Sequence, residues 1–215
     1  MTSIATRLGA VRERIARACD AADRDPSSVT LVAVSKRHPV SAIREAMDAG
    51  QVLFGENYAQ ELAEKAAEID GARWHFIGHL QRNKARLVVP TGAVVETVDT
   101  PRLVAELGKR ATGVVEILIQ VDVAAEESKS GCPVGELDAL VAAARAAERV
   151  QLRGLMTIPP VVGDPSPHFS ALRSLARRHE LADLSMGMSA DLEIAIRCGA
   201  TIVRVGTAIF GPRPA

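Results

Sequence analysis

Short apolar runs alternate eight times with segments of helical composition along this chain of 215 residues. A short apolar run bounded by turn residues is typical of a buried strand, and strict strand-then-helix alternation indicates a parallel sheet. Eight such units favour one closed (β/α)8 TIM barrel over residues 1–215, with no composition break that divides it. The predicted strands cover residues 31–35, 52–54, 73–77, 94–98, 114–121, 152–157, 182–185 and 201–205.

An extra helix is predicted before the first strand. Residues 3–20 carry Ile4, Leu8, Val11 and Ile15 at the three- and four-residue spacing of an amphipathic helix. Only ten residues follow the eighth strand, so an eighth helix there would be very short, and we expect the N-terminal helix to cover the gap. The remaining predicted helices cover residues 40–48, 58–69, 81–88, 101–110, 134–147, 168–179 and 189–198.

An open, doubly wound parallel sheet is the alternative fold. The chain is shorter than the roughly 250 residues typical of a (β/α)8 barrel, although it lies within the range of that fold. A dinucleotide-binding version of the open sheet would need a G-x-G-x-x-G turn after its first strand. The sequence at that point is Ser35-Lys36-Arg37-His38, which disfavours this version.

The composition argues against several classes of partner. Lys plus Arg and Asp plus Glu both total 26, so the net charge is zero, which disfavours nucleic acid or an anionic membrane as the main partner. Aromatic residues make up 3% of the chain, too few for base stacking. No apolar run approaches the roughly 20 residues that span a bilayer, and no signal-peptide pattern opens the chain. Three cysteines without metal-ligand spacing favour a reduced, cytoplasmic setting. No strongly apolar stripe is evident, so we expect a monomer.

Polar residues follow the predicted strands at the end where parallel barrels bind ligands. Lys36 comes directly after the first strand, and Arg204 lies inside the eighth strand between two valines. A charge in such a strand needs a ligand, a partner charge or water. The polar and glycine residues predicted at the mouth, with one methionine among them, are Lys36, Asn57, His79, Asp99, Asp122, Lys129, Met156, Thr157, Ser185, Ser189, Arg204, Gly206 and Thr207.

This set suits an anionic ligand that carries an aldehyde or a phosphate. Barrels often hold phosphate with the loops after strands seven and eight, which here are residues 185–189 and 206–207. Ser189 is predicted to open a helix, whose N-terminus favours an anion. Each residue also has a simpler interpretation, because Lys36 could be a surface residue, Ser189 only a helix cap and Gly187 only a turn residue.

A metal site is disfavoured. His75 and His79 are four residues apart, a spacing that suits metal ligands on a helix, but Gly78 and the strand pattern keep them off a shared helix face. We expect His75 to be a strand residue packed beside Trp74.

Six short segments, spread over nearly the whole chain, form a specific set. They are Val34-Ser35-Lys36, Phe54-Gly55-Glu56-Asn57-Tyr58, the run from Trp74 to Lys84, Gly154-Leu155-Met156-Thr157-Ile158-Pro159, the run from Ser185 to Asp191, and the run from Val203 to Gly211. In this order they resemble the pyridoxal phosphate homeostasis proteins. The resemblance implies a single barrel like the N-terminal domain of alanine racemase, with pyridoxal 5′-phosphate (PLP) at its mouth.

The resemblance also implies a role for each site residue. Lys36 corresponds to the lysine that forms the Schiff base, and Arg204 to the arginine that faces the pyridine nitrogen. The residues implied around the phosphate are Ser189, Gly206 and Thr207, with Ser185 and Met186 close by. Asn57 and Met156 correspond to positions that line the cofactor, and His79 is expected near them. The segment Lys129-Ser130-Gly131 resembles a loop of the family, and no role is assigned to it.

The expected chemistry fits these assignments. Schiff-base formation needs a neutral amine, and burial beside Arg204 would lower the pKa of Lys36. An arginine only donates hydrogen bonds and stays charged, so it should keep the ring nitrogen unprotonated and weaken the cofactor as an electron sink. Transamination is therefore disfavoured, whereas racemisation remains conceivable.

Three functions are open on the sequence. The resemblance favours a non-catalytic protein of PLP (vitamin B6) homeostasis that supplies the cofactor to PLP-dependent apo-enzymes. The alternative is a single-domain PLP-dependent amino-acid racemase, for which a second acid or base is needed. In alanine racemases that group is a tyrosine of a second domain, which we expect to be absent here, and the single tyrosine, Tyr58, more plausibly starts a helix. A phosphosugar or indole-type barrel enzyme would explain the phosphate loops but not Lys36 and Arg204 together.

Overall fold

The computed structural model describes residues 2–124 and 130–212, in which eight parallel strands close into a barrel. The ring runs β1-β2-β3-β4-β5-β7-β8-β9 and closes where β9 pairs with β1, which confirms the predicted (β/α)8 fold. The two-residue strand β6 pairs in parallel with the end of β5, outside the ring. The strands are β1 Thr30–Val34, β2 Leu53–Glu56, β3 Arg73–Phe76, β4 Val94–Val98, β5 Val115–Asp122, β6 Cys132–Pro133, β7 Val150–Met156, β8 Asp183–Ser185 and β9 Ile202–Val205.

The helices surround this ring. They are α1 Ile4–Asp20, α2 Val40–Asp48, α3 Ala59–Glu68, α4 Ala85–Val88, α5 Pro101–Arg110, α6 Leu137–Ala146, α7 Ser166–Arg178, α8 Leu192–Arg197 and α9 Thr207–Phe210. The predicted helix over residues 81–88 is mostly a set of short turns, with 3₁₀ segments Arg82–Lys84 and Val89–Thr91 on either side of α4. Among the described residues, no helix is both long and apolar enough to cross a membrane.

The prediction that Ser189 opens a helix is wrong. Helix α8 begins three residues later, at Leu192. The Asp191 side chain accepts a hydrogen bond of 2.6 Å from the Met188 backbone N–H, which holds residues 188–191 in a turn before the helix. Gly187 directly precedes this turn, and its φ of 95° lies in the left-handed region that favours glycine.

The apolar core has two parts. The larger part contains buried residues of the strands and of the surrounding helices, such as Phe54, Leu62 and Phe169. The smaller part comes from the strands alone and consists of Val32, Leu53, Leu118, Met156 and Ile202. Successive residues of a barrel strand face inward and outward in turn, so this second cluster fills part of the barrel interior.

Helix α1 closes the side of the barrel where α9 is only one turn long. Its buried face includes Leu8, Val11 and Ile15, and it contacts α2, α8 and α9. The Arg7 guanidinium of α1 also donates a hydrogen bond of 2.5 Å to the carbonyl of Ile209 in α9. These contacts confirm that the N-terminal helix covers the gap left by the short last helix.

Replacing Leu8 with alanine tests this role of α1. Leu8 is completely buried, so the substitution should lower the free energy of unfolding by about 2–5 kcal/mol, the usual cost of a leucine-sized cavity. Urea denaturation of both proteins measures the difference. Val114→Ala is a suitable control, because Val114 is 66% exposed and its truncation should change stability by less than about 0.5 kcal/mol. Equal effects at the two positions would show that α1 is not part of the core.

Candidate functional site

A cavity of about 300 Å³ opens at the carboxyl ends of the strands. It is lined by Val34, Lys36, Asn57, Ile77, Ile158, Met188, Ser189, Ala190, Arg204, Gly206 and Thr207. Six of the ten predicted site residues are in this lining, namely Lys36, Asn57, Ser189, Arg204, Gly206 and Thr207. The volume is at the lower end of the range for small-molecule sites, roughly 300–1,000 Å³.

The other four predicted residues lie outside this lining. Met156 and Met186 are completely buried in the apolar clusters, and Ser185 is completely buried against Arg204. The side chain of His79 is largely exposed and lies 3.7 Å from Asp99. Lys129 lies outside the described residues.

Arg204 is a buried charge between the barrel interior and the cavity. Its side chain is 4% exposed, and its Nη1 lies 3.6 Å from the carboxylate of Glu96. The same nitrogen donates to the Ser185 hydroxyl at 2.5 Å, while Nη2 donates to the Thr157 carbonyl at 2.9 Å. Burial lowers the pKa of Arg204, and the charge of Glu96 opposes this effect. The guanidinium is therefore fixed in place before any ligand binds.

Glu96 of β4 is the partner that the sequence analysis missed. Its Oε1 lies 2.5 Å from Nδ1 of His75, and its Oε2 accepts a hydrogen bond of 2.5 Å from the Ser185 hydroxyl. Burial acts to raise the pKa of Glu96, but His75, Arg204 and Ser185 outweigh it, so this pKa lies below its usual range. The argument that singled out Arg204, a charge inside a predicted strand, applies equally to Glu96. His75 packs inward against Glu96, rather than only beside Trp74.

Lys36 stands on a turn that follows β1. Ser35 before it is completely buried, and the Ser35 hydroxyl donates to Oε1 of Glu56 at 2.7 Å. The ammonium of Lys65, from α3, lies 2.7 Å from the same oxygen. Burial raises the pKa of Glu56, and the charge of Lys65 opposes it. Neither Glu56 nor Lys65 was predicted as part of the site.

Asn57 is in the lining of the cavity and has an unsatisfied acceptor. Its Oδ1 is buried and has no hydrogen-bond partner among the described residues. Gly78 fixes its backbone closely, because a Cβ on Gly78 would lie 2.0 Å from the Asn57 carbonyl oxygen. Buried polar atoms of native proteins are normally paired, so the Asn57 oxygen fits a ligand that brings a hydrogen-bond donor.

The described residues contain no group of three or more His, Cys, Asp or Glu side chains that could hold a metal ion. The cavity offers instead one amine, one guanidinium, two hydroxyls and an amide. Such a set can bind a phosphate or a carboxylate and can present an amine to a carbonyl carbon.

A larger cavity, of about 630 Å³, lies at the amino ends of the strands. Arg153 bridges two acidic residues in its wall, Glu116 at 2.5 Å and Asp183 at 3.1 Å. Active sites of (β/α)8 barrels lie at the carboxyl ends of the strands, and the buried Arg204 faces the smaller cavity. The smaller cavity is therefore the candidate site.

Comparisons with known proteins identify similar chains. The family model described as "Alanine racemase, N-terminal domain" matches residues 6–214. The pyridoxal phosphate homeostasis protein of Escherichia coli K12 is 42% identical, over 99% of this chain and 98% of that protein. The protein of the same name from Pseudomonas aeruginosa is 44% identical, over 99% and 97%.

Two solved structures are also similar. The structure of PipY from Synechococcus elongatus PCC7942 with PLP bound has a TM-score of 0.86 and 36% identity, and the similarity covers 97% of this chain and 100% of that one. Alanine racemase from Corynebacterium glutamicum has a TM-score of 0.73 at 17% identity, over 96% of this chain and 61% of that one. The second similarity concerns the fold alone.

Replacing Glu96 with glutamine tests the buried ion pair. The substitution leaves the Arg204 charge buried without its counter-charge, so unfolding at neutral pH should become easier by about 3–5 kcal/mol. Because the pKa of Glu96 is lowered in the folded protein, its contribution is present above the ordinary glutamate pKa of about 4.3 and is lost as the pH falls through the lowered value. The difference between the two proteins should therefore shrink in acid.

Urea denaturation at several pH values measures this difference. Glu13→Gln is the control, because Glu13 pairs with Arg17 at the surface, where its side chain is 73% exposed, and such pairs contribute less than about 1 kcal/mol. A loss of stability as small as that of the control would argue against a structural role for Glu96.

Proposed function

The chain belongs to the family of pyridoxal phosphate homeostasis proteins, and from this premise we propose that it binds PLP at its barrel mouth as a non-catalytic protein of intracellular PLP (vitamin B6) homeostasis. The observation that carries the proposal is the cavity itself, which brings Lys36, Arg204 and the loops of residues 188–190 and 206–207 together. These parts come from opposite ends of the sequence, and the closure of the barrel makes them neighbours.

Lys36 is the residue that holds the cofactor covalently in this proposal. When bound, the cofactor would supply an aldehyde, and the amine of Lys36 is the group of this chain that would react with it. The side chain of Lys36 lines the cavity and is partly buried. Lys36 can therefore contact a ligand in the cavity without a change in the backbone of its turn.

The phosphate is held, in this proposal, by Ser189, Gly206 and Thr207. Hydroxyl and backbone N–H groups are the usual neutral donors to phosphate oxygens. A Cβ on Gly206 would lie 3.2 Å from the carbonyl oxygen of Val34, so a glycine keeps this wall of the cavity close to β1. Ser185 acts indirectly, through its hydrogen bond with Arg204.

Arg204 and Asn57 support the fit of the ring. The Arg204 guanidinium is a permanent donor, which favours a ring nitrogen that accepts a hydrogen bond and carries no proton. The unsatisfied Oδ1 of Asn57 can accept from a ring hydroxyl. Met156 lies completely buried in the small cluster of the barrel interior and is not in the lining of the cavity, so we assign it no contact with the ring.

The position of Tyr58 argues against the racemase alternative. Tyr58 is the only tyrosine in the sequence, and it lies at the N-cap of α3. Its side chain is on the surface, with the guanidinium of Arg37 5.6 Å from the ring centroid. It is not in the described lining of the cavity. A two-base racemase needs an acid or base on the face opposite the lysine, and Tyr58 does not supply one from this position.

The setting and partners follow from the proposed role. We propose a cytoplasmic monomer whose partners, besides PLP, are apo-enzymes that use this cofactor. The three cysteines are free thiols in the structure, which suits a reducing compartment.

Absorbance and chemical trapping test the cofactor and its anchor. Purified protein with added PLP should show a visible band, and borohydride reduction followed by peptide mapping should place the label on Lys36. Lys36→Ala should abolish the label while retaining some phosphate-anchored cofactor. Lys84→Ala removes an exposed lysine that is not in the lining of the cavity and should behave like the parent protein. The absence of a band even with excess PLP would refute the proposal.

A racemase assay on the same sample separates carrier from enzyme. We expect no interconversion of amino-acid enantiomers that depends on Lys36. Turnover that disappears in Lys36→Ala would favour the racemase instead.

A further inference from the structure

The turn that carries Lys36 is fixed by a buried ion cluster of α3 and β2, and we infer that Lys65 positions Lys36 for its condensation with the aldehyde of the cofactor. The inference rests on the proposed function, because it concerns the reaction of Lys36 with PLP. Lys65 does not line the cavity, so it acts through the backbone of the turn.

Lys65 is a lysine whose three donors are all used. Its side chain is 7% exposed, and its Nζ lies 2.7 Å from Glu56 and 2.7 Å from Glu61. The third bond, of 2.8 Å, goes to the backbone carbonyl of Ser35, the residue before Lys36. An ammonium has three N–H groups, so the Ser35 carbonyl completes the coordination of Lys65.

The same cluster also holds the residue after Lys36. The backbone N–H of Arg37 donates to Oε1 of Glu61 at 2.6 Å, and this oxygen also accepts from Lys65. The cluster therefore fixes the carbonyl on one side of Lys36 and the N–H on the other. Further along, the ring of His38 stacks on Phe210 with centroids 5.1 Å apart.

The backbone of the turn is strained at Arg37. Its φ is 62°, in the left-handed region that non-glycine residues rarely adopt. Such strain persists only where the surroundings enforce it, and it concentrates at functional sites. Here the surroundings are Glu61 and Lys65, which bond to the backbone on both sides of Lys36, and the Lys36 side chain lines the cavity.

This geometry makes a prediction that separates positioning from simple structural support. A loosened turn should slow the reaction of Lys36 with the aldehyde, because misplacing a reacting group by about 1 Å can cost on the order of 100-fold in rate. It should leave the phosphate and ring contacts in place. Pyridoxamine 5′-phosphate has that ring and phosphate but no aldehyde, so its affinity reports those contacts alone.

The test compares Lys65→Met with the parent protein. Borohydride trapping at Lys36 should slow by about tenfold or more, while the dissociation constant for pyridoxamine 5′-phosphate changes by less than about threefold. Lys65→Arg keeps the charge and the donors and should restore part of the rate. Lys84→Met, at an exposed lysine, is the matched control and should leave both quantities unchanged.

A second variant guards against loss of folding in Lys65→Met. Glu61→Ala removes the acceptor of the Arg37 N–H at a side chain that is 22% exposed, and it should give the same slower trapping with retained pyridoxamine 5′-phosphate binding. Parent-like trapping in both variants, or an equal loss of binding for both vitamers, would overturn the inference. If the parent protein itself forms no adduct at Lys36, the proposed function fails instead.

Discussion

The guanidinium of Arg204 inside the barrel is the constraint on which the site depends. A buried charge is tolerated only when it is paired and hydrogen-bonded, and Glu96 and Ser185 meet that need. Glu96 is in turn held by His75. These four residues come from β9, β4, β8 and β3, so the network ties distant strands together across the interior. The interior is consequently polar where it meets the cavity, and the charge that organises it is also the one offered to a ligand.

The fold could be predicted from the sequence because buried parallel strands are recognisable as apolar runs. Eight strands that alternate strictly with helices are compatible with few folds other than a closed barrel or an open parallel sheet. The predicted ends of helices were less accurate, because individual side-chain hydrogen bonds decide where a helix begins. Serine is a residue type that often caps the start of a helix. The Asp191 side chain, however, accepts a hydrogen bond from the Met188 N–H, and the helix begins at Leu192 instead of Ser189. The spacing of apolar residues carries no information about such a side-chain-to-backbone hydrogen bond.

The site was only partly predictable, for a different reason. Residues at strand ends can be identified from the sequence, and six of those chosen line the cavity. Their supporting partners cannot be identified in the same way. Ser185 and Glu96 are 89 positions apart and meet only because the barrel closes. Lys65 lies in a helix among alanines and glutamates, where a lysine is usually a solvated surface residue, and only the tertiary structure shows that it is buried.

Helix α1 has a consequence for the order in which this protein forms. Arg7 bonds to Ile209, which is 202 residues away, and Arg14 bonds to the Ser189 carbonyl, 175 residues away. Since a chain is made from its N-terminal end, α1 emerges long before α8 and α9, and of its three partner helices only α2 is made early. Contacts of such long range make folding slow and leave partly made chains prone to aggregation. The loops around Ser189 and Thr207 line the same cavity as Lys36, so a growing chain cannot complete its ligand pocket before residue 207 has been made.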